Sequence, residues 1–122
     1  MNRFFKKMRH GFTLVEIMIV VLIIGILLAI AIPNFVRARN SSRAKSCQAN
    51  LKQIDSATEQ YLMDNRTTTY PALTALNPTY IKAAPSCPSG GTYAIGSATT
   101  NPTCTIGTND SADTFDDHVL AQ

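Results

Sequence analysis

The first long feature of the chain is an almost unbroken run of apolar residues. Over residues 12–32, a run of 21 residues, only Thr13 and Glu16 are polar. A helix rises about 1.5 Å per residue, so this run spans roughly 31 Å, the thickness of a bilayer core. Pro33 closes the run, although a helix can carry a proline as a kink. The pattern therefore predicts a transmembrane helix over residues 12–33.

From residue 34 to 65 the apolar positions recur at spacings of three and four, with charged residues between them. This period is typical of an amphipathic helix that continues the first one beyond Pro33. We expect its apolar side to pack against the protein's own small domain and not to hold a ligand. That side consists of Phe35, Ala44, Cys47, Leu51, Ile54, Ala57 and Tyr61.

Residues 66–122 are rich in Thr, Ser, Pro, Gly and Asn, which indicates a small domain with many turns. Two short runs of β-forming residues, 92–95 and 103–106, predict one hairpin with a long loop. A lone hairpin is marginally stable in water, so we expect it to lie across the apolar side of the helix over 34–65. The predicted fold class is α+β, with a long N-terminal helix packed against a small C-terminal domain that contains a β-hairpin.

Shorter elements are expected on either side of the hairpin. Residues 71–76 predict a short helical turn, and Tyr80 and Ile81 predict a short strand or a packed loop. The tail over 107–122 lacks periodicity, so we predict a loop with an edge strand near Val119.

The charge of the chain is concentrated in its first eleven residues. The whole chain has a formal charge of +3, but without residues 1–11 it would carry 7 Lys and Arg against 8 Asp and Glu. The basic character therefore gives little support to nucleic-acid binding by the rest of the chain. A cationic segment before a membrane span predicts a cytoplasmic N-terminus and a C-terminal domain outside.

A secretory signal peptide is the competing interpretation of the N-terminus. Such a peptide has a shorter apolar core, followed by a cleavage site of small residues. Here the apolar run is longer, Glu16 lies near its start, and the small residue Gly11 precedes it. Cleavage before the apolar run therefore fits the sequence better than cleavage after it.

The residues around this boundary resemble the processing site of type IV pilins and of the pseudopilins of type II secretion. The resemblance covers about a quarter of the chain and combines a cleavage site, one acid at a defined depth and a span of membrane length. It extends to Gly25 and Pro33, which stand where helix-loosening residues occur in many of these proteins. The matching segment is Gly11-Phe12-Thr13-Leu14-Val15-Glu16, after a basic leader and before the apolar run.

The resemblance implies a role for each of these residues. A membrane-embedded prepilin peptidase would cut between Gly11 and Phe12 and methylate the new amine of Phe12. Glu16 would then pair with the Phe12 amine of a neighbouring subunit, and a carboxylate in hydrocarbon is costly unless it is paired. The alternative for Glu16 is that its carboxylate reaches the nearby membrane interface. The segment between Gly25 and Pro33 is the weakest part of the span, and we hypothesise that it partly unwinds on assembly.

The cysteines and histidines give no recognisable metal or nucleophile pattern, since no close cysteine pair and no histidine at ligand spacing is present. We therefore expect no metal site. A disulfide is the expected use of two cysteines, and Cys87 with Cys104 closes the shortest loop. Cys47 lies on the apolar side of the helix, where either cysteine could reach it, but we favour the pair Cys87–Cys104 and expect Cys47 to stay buried as a small hydrophobic residue.

Two further groups of charged residues are candidate binding sites. The aspartates of the tail could hold calcium, but their spacing matches no EF-type loop and a solvated acidic tail is favoured. No cofactor is therefore predicted. The basic residues after the span could bind DNA phosphates, but they lack interleaved aromatic residues. The aspartates are Asp110, Asp113, Asp116 and Asp117, and the basic residues are Arg37, Arg39, Arg43 and Lys45.

The sequence thus predicts a non-enzymatic filament subunit with four parts: a cleaved leader over 1–11, a membrane and polymerisation helix over 12–33, an amphipathic helix over 34–65 and a small domain over 66–122. Its implied partners are further copies of itself, a prepilin peptidase, the assembly ATPase and platform proteins of a pilus or secretion machine, and the inner membrane before export to the filament. The alternatives are a competence-type pilin that takes part in DNA uptake, and a single-span membrane protein that keeps its leader.

Overall fold

A computed structural model describes residues 11–107 and 117–120 of the chain. The elements follow in the order α1 (Leu14–Asn65), α2 (Leu73–Leu76), β1 (Tyr93–Ala94) and β2 (Thr103–Cys104). The chain divides into two compact units, Met1–Val36 and Arg37–Gln122. The first unit contains the apolar start of α1, and the second contains the rest of α1 with all the smaller elements.

Helix α1 ends in a Schellman motif after its last residue, Asn65. Arg66 adopts the left-handed conformation with φ 48°, and its N–H donates to the Met63 carbonyl at 3.3 Å. The Thr67 N–H donates to the Leu62 carbonyl at 3.2 Å. These two bonds satisfy carbonyls that the end of a helix otherwise leaves without donors, so the chain turns sharply here without a glycine.

The second unit has a core of two hydrophobic clusters, both built on the apolar side of α1. Leu51 and Ile54 are fully buried and lie in different clusters, while Tyr93 packs against both. The prediction for the apolar side is wrong at Phe35, which is 69% exposed, because this residue belongs to the first unit. Cluster 1 contains Cys47, Leu51, Cys87 and Cys104, and cluster 2 contains Ile54, Ala57, Leu76 and Ile81.

Strands β1 and β2 form the predicted antiparallel hairpin, with Tyr93 opposite Cys104 and Ala94 opposite Thr103. Side chains alternate between the two faces of a strand, so one face presents Tyr93 and Cys104 to the helix. The α+β fold class and the hairpin packed on the helix are thus confirmed. The edge strand predicted near Val119 is wrong, since that residue lies in a bend, and Tyr80 and Ile81 form a packed turn.

Candidate functional site

The predicted cleavage position lies just before the first turn of α1. Gly11, Phe12 and Thr13 are not helical and all three are exposed. A Cβ atom added at Gly11 would have no other atom within 4 Å. The Gly11–Phe12 peptide is therefore exposed and outside the helix, so its backbone is open to a protease.

Thr13 caps the helix on which Glu16 lies. The Thr13 hydroxyl accepts a hydrogen bond from the Glu16 backbone N–H at 3.2 Å, and the Thr13 carbonyl accepts from the Ile17 N–H at 3.3 Å. Threonine at the N-cap with glutamate three positions later is a capping-box sequence. The sequence analysis missed this role of Thr13, although the spacing alone could have revealed it.

The Glu16 carboxylate itself has no hydrogen-bond or ion-pair partner among residues 11–107 and 117–120. It lies in the first turn of α1, where the helix dipole stabilises negative charge. Every described residue of the first unit is exposed in the single chain. The acid is therefore placed on an apolar surface that the chain itself does not cover.

The two residues expected to loosen the span lie inside an unbroken helix. Gly25 and Pro33 are both within α1, and the ring nitrogen of Pro33 cannot donate to the carbonyl of Ala29. Nothing lies within 4 Å of a Cβ added at Gly25. In the single chain, therefore, neither residue breaks the helix, and unwinding on assembly stays a prediction.

A second group of reactive side chains is found in the second unit, where the sequence analysis expected a disulfide but no metal site. Cys47, Cys87, Cys104 and His118 are all buried, and one potential ligand atom of each lies within 4.8 Å of all the others. The predicted disulfide between Cys87 and Cys104 is not formed, since all three cysteines are free. The sequence analysis expected no metal site, yet the fold joins residues from four separate parts of the chain into a group that could hold a metal ion.

The electrostatics of these thiols follow from their burial and their hydrogen bonds. Burial raises the pKa of the Cys47 thiol to about 12, although a hydrogen bond from Tyr93 opposes part of this effect. Burial acts the same way on Cys87, but hydrogen bonds from the backbone N–H groups of Ser89 and Gly91 lower its pKa below the usual value. Burial and the bond to Cys47 raise the pKa of Tyr93. The Cys87 sulfur thus lies in a backbone cradle that favours the thiolate.

The other charged residues that the sequence analysis considered give less evidence of a binding site. Of the aspartates considered for calcium, Asp110, Asp113 and Asp116 lie outside the described residues, while Asp117 is half-buried. Among the basic residues after the span, Arg39 and Lys45 are exposed.

Comparison with known proteins decides the family. A family model described as the prokaryotic N-terminal methylation motif matches residues 6–32. The type II secretion system core protein G of Vibrio cholerae is 34% identical over 105 residues, which cover 72% of this chain and 72% of that protein. The chain belongs to the family of type IV pilins and type II secretion pseudopilins. The resemblance at the N-terminus is thereby confirmed, and this pilin-family chain is a relative of filament subunits.

Two further relatives represent other branches of the family. The ComG operon protein 3 homolog of Bacillus licheniformis is 35% identical over 80 residues, covering 66% of this chain and 82% of that protein. The type IV major pilin protein PilA of Myxococcus xanthus is 45% identical over 60 residues, covering 49% of this chain and only 27% of that pilin. No solved structure matches this pilin-family chain.

Proposed function

We propose that the chain is a structural subunit of a type IV pilus-like filament or of a type II secretion pseudopilus, and that it assembles through the start of α1. The observation that supports this most directly is an uncovered apolar stretch of helix with one acid, Glu16, in its first turn, whose carboxylate has no partner among residues 11–107 and 117–120. One window of α1 has a mean hydropathy of 3.2 and none of it is buried within the chain. Such a surface needs lipid before assembly and other copies of the chain afterwards.

Processing comes first in this mechanism. A prepilin peptidase cuts the exposed bond between Gly11 and Phe12, and the new Phe12 amine is methylated but stays cationic. The C-terminal domain lies outside the cytoplasm, because the basic leader holds the N-terminus inside. Before assembly the subunit is stored in the inner membrane.

Pairing of Glu16 then selects the position of an incoming subunit. A carboxylate in an apolar environment costs several kcal/mol unless a cation compensates it. The processed Phe12 amine of a neighbouring subunit is a cation at nearly the same depth, only one helical turn away in sequence. The pair therefore acts as a register device, and the subunit carries out no catalysis of its own.

The test compares Glu16→Ala with Glu59→Ala, an exposed acid near the other end of α1. Intact mass of membrane-extracted protein should show loss of residues 1–11 plus one methyl group in wild type and in both variants. Filament yield should fall sharply in Glu16→Ala alone, because only that variant loses the acid that pairs with the amine. Normal filament yield from Glu16→Ala cells would disprove the pairing, and an uncut leader in wild type would indicate a single-span membrane protein instead.

A competence-type pilin is the second candidate, and the similarity to the ComG operon protein 3 homolog favours it. The basic residues just after the apolar run would then contact DNA phosphates. Purified filaments should bind double-stranded DNA with an affinity that falls steeply with salt, and Arg39→Ala with Lys45→Ala should flatten that dependence. Filaments that leave DNA unbound at low salt would exclude this role.

A further inference from the structure

The buried group of Cys47, Cys87, Cys104 and His118, here called the Cys-His cluster, has the composition of a closed zinc site. Structural zinc is held by four thiolate and imidazole ligands in a tetrahedron, and three cysteines with one histidine is one of the common sets. All four side chains are almost completely buried, with exposures of 0%, 7%, 6% and 3% in chain order. A site without an open position has room for a structural ion and not for a substrate.

The distances fit a tetrahedron without rearrangement of the fold. With bonds of about 2.3 Å to sulfur and about 2.0 Å to nitrogen, neighbouring ligand atoms of a zinc site lie about 3.5 to 3.8 Å apart. In the structure, Cys87 Sγ and His118 Nδ1 are 3.4 Å apart, and no two ligand atoms of the cluster are farther apart than 4.8 Å. The largest separations exceed those of a zinc site by up to about 1 Å, so side-chain movements of about half an ångström for each atom of a pair would place the four atoms around one ion.

Two of the cysteines begin turns of the same kind. The Gly90 N–H donates to the Cys87 carbonyl at 2.9 Å, and the Gly107 N–H donates to the Cys104 carbonyl at 3.0 Å. Both glycines have positive φ, 84° and 57°, so each turn needs the freedom of glycine at its fourth position. A repeated Cys-x-x-Gly turn presents both sulfurs toward one point.

Backbone donors compensate charge in the first of these turns. The N–H groups of Ser89 and Gly91 bond to the Cys87 sulfur. Gly91 also approaches the second turn so closely that an added Cβ would lie 2.6 Å from Cys104 Sγ. The hydrogen bonds from the Ser89 and Gly91 N–H groups to a sulfur are of the kind that orients thiolate ligands and spreads their charge.

His118 is held in place by its own neighbours. Its backbone N–H donates to the Gly107 carbonyl at 2.9 Å, so the histidine is tied to the second cysteine turn. The Gln48 side chain donates to the carbonyl of Asp117 at 2.9 Å, which fixes the same segment to α1 next to Cys47. The ligands from the helix and from the tail are thus anchored to each other independently of any ion.

We propose that Cys47, Cys87, Cys104 and His118 bind one Zn²⁺ ion and that this ion holds the C-terminal unit together. On binding, the three thiols release three protons, and the imidazole donates the lone pair of Nδ1, so the ion gains three thiolates and one neutral nitrogen without any change of oxidation state. The resulting single negative charge is compensated by the backbone donors around Cys87 and by Tyr93, which bonds to Cys47.

A bound zinc ion explains how so small a unit stays folded. Its hairpin has only two residues in each strand, and small domains commonly need a disulfide or a metal in place of a larger core. One ion here connects α1, the turn before β1, the end of β2 and the C-terminal segment. A disulfide between two of the cysteines would connect fewer parts and would leave a third thiol buried beside it.

The test uses the untagged full-length chain, extracted from membranes in detergent and dialysed. Elemental analysis should find about one zinc per chain in wild type, and X-ray absorption at the zinc edge should find three sulfur neighbours and one nitrogen. Added Co²⁺ should replace zinc after its removal and give the visible bands of tetrahedral cobalt with a thiolate charge-transfer band. These readouts need only the wild-type protein and so do not depend on the folding of a variant.

Variants then assign the ligands. Cys87→Ser and His118→Ala should each weaken zinc binding by more than the roughly tenfold to hundredfold loss typical of changes around a ligand. Ser46→Ala is the control, because Ser46 is exposed and adjacent to Cys47 on the same helix. Protein that contains no zinc and instead a Cys87–Cys104 disulfide would overturn the proposal. Zinc surrounded only by nitrogen and oxygen, or iron in place of zinc, would overturn it as well.

Discussion

The Thr13 hydroxyl accepts a hydrogen bond from the Glu16 backbone N–H at 3.2 Å, so the acid proposed to guide assembly lies in the turn that Thr13 caps. Loss of an N-cap costs about 1 kcal/mol, which increases local opening roughly fivefold. Thr13→Ala should therefore speed hydrogen exchange of the Glu16 and Ile17 amides, which both bond to Thr13, in micelles by about that factor. Thr13→Ser keeps the hydroxyl and should exchange as wild type does. Equal exchange in the alanine variant would mean that the cap contributes nothing.

Replacement of Gly11 tests the peptidase site. Gly11→Val should leave the precursor in the membrane with its leader attached, because the enzyme must approach the backbone where glycine has no Cβ. The measurement is the size shift between precursor and mature protein on a gel. Met8→Val is the control, since it introduces the same side chain three positions earlier in the leader. A normal size shift in Gly11→Val would contradict the proposed cleavage site.

The helix between Gly25 and Pro33 gives a prediction about the filament. This segment is helical in the single chain, but its glycine lowers helix propensity by about 1 kcal/mol and its proline removes one backbone bond. We expect a filament density map to show extended chain between these residues. In filaments of Gly25→Ala with Pro33→Ala the segment should stay helical. A continuous helix from Gly25 to Pro33 in wild-type filaments would contradict the prediction that this segment unwinds.

Cluster 2 gives a stability prediction for the C-terminal unit. Ile54 is fully buried, so Ile54→Ala should lower the free energy of unfolding by about 2–5 kcal/mol. The measurement is the urea midpoint at which the C-terminal unit of the detergent-solubilised chain becomes sensitive to protease. Gln53→Ala, at the exposed neighbouring position, should stay within about 0.5 kcal/mol of wild type. Equal midpoints for the two variants would show that this cluster contributes little.

The long helix and the hairpin could be predicted because local patterns determine them. The apolar run, the three-and-four spacing up to Tyr61 and the two β-forming runs each need only neighbouring residues to be recognised. Phe35 fits the period, so the sequence predicts that it is buried, but periodicity does not show where the domain that covers a helix begins. The sequence predicts the end of the helix at residue 65, which the structure confirms, but it does not predict the left-handed conformation of Arg66, since that conformation is uncommon for arginine.

The Cys-His cluster could not be found from spacing. Its two nearest members in sequence, Cys104 and His118, are 14 positions apart, whereas the usual zinc patterns contain a close pair. Here α1, the turn before β1, the end of β2 and the C-terminal segment supply one residue each, so only the tertiary fold joins them. The one local signal was the repeated Cys-x-x-Gly, at Cys87 and again at Cys104, which presents a cysteine at the start of a glycine turn twice.

Gly91 links that repeated turn to a measurable prediction. A Cβ at this position would lie 2.6 Å from Cys104 Sγ and 2.8 Å from Ile106 Cγ1, so in Gly91→Ala either these side chains or the turn at residue 91 must shift, and we expect the shift to disturb the position of Cys104 in the Cys-His cluster. Overpacking of this kind costs about 1–3 kcal/mol, and the strain should appear as faster zinc transfer to a coloured chelator. Gly25→Ala is the matched control, because nothing lies within 4 Å of its added Cβ, and it should transfer zinc at the wild-type rate. Zinc transfer at the wild-type rate from Gly91→Ala would mean that the close approach of residue 91 does not hold Cys104 at the ion, and that the second cysteine turn has a role in packing alone.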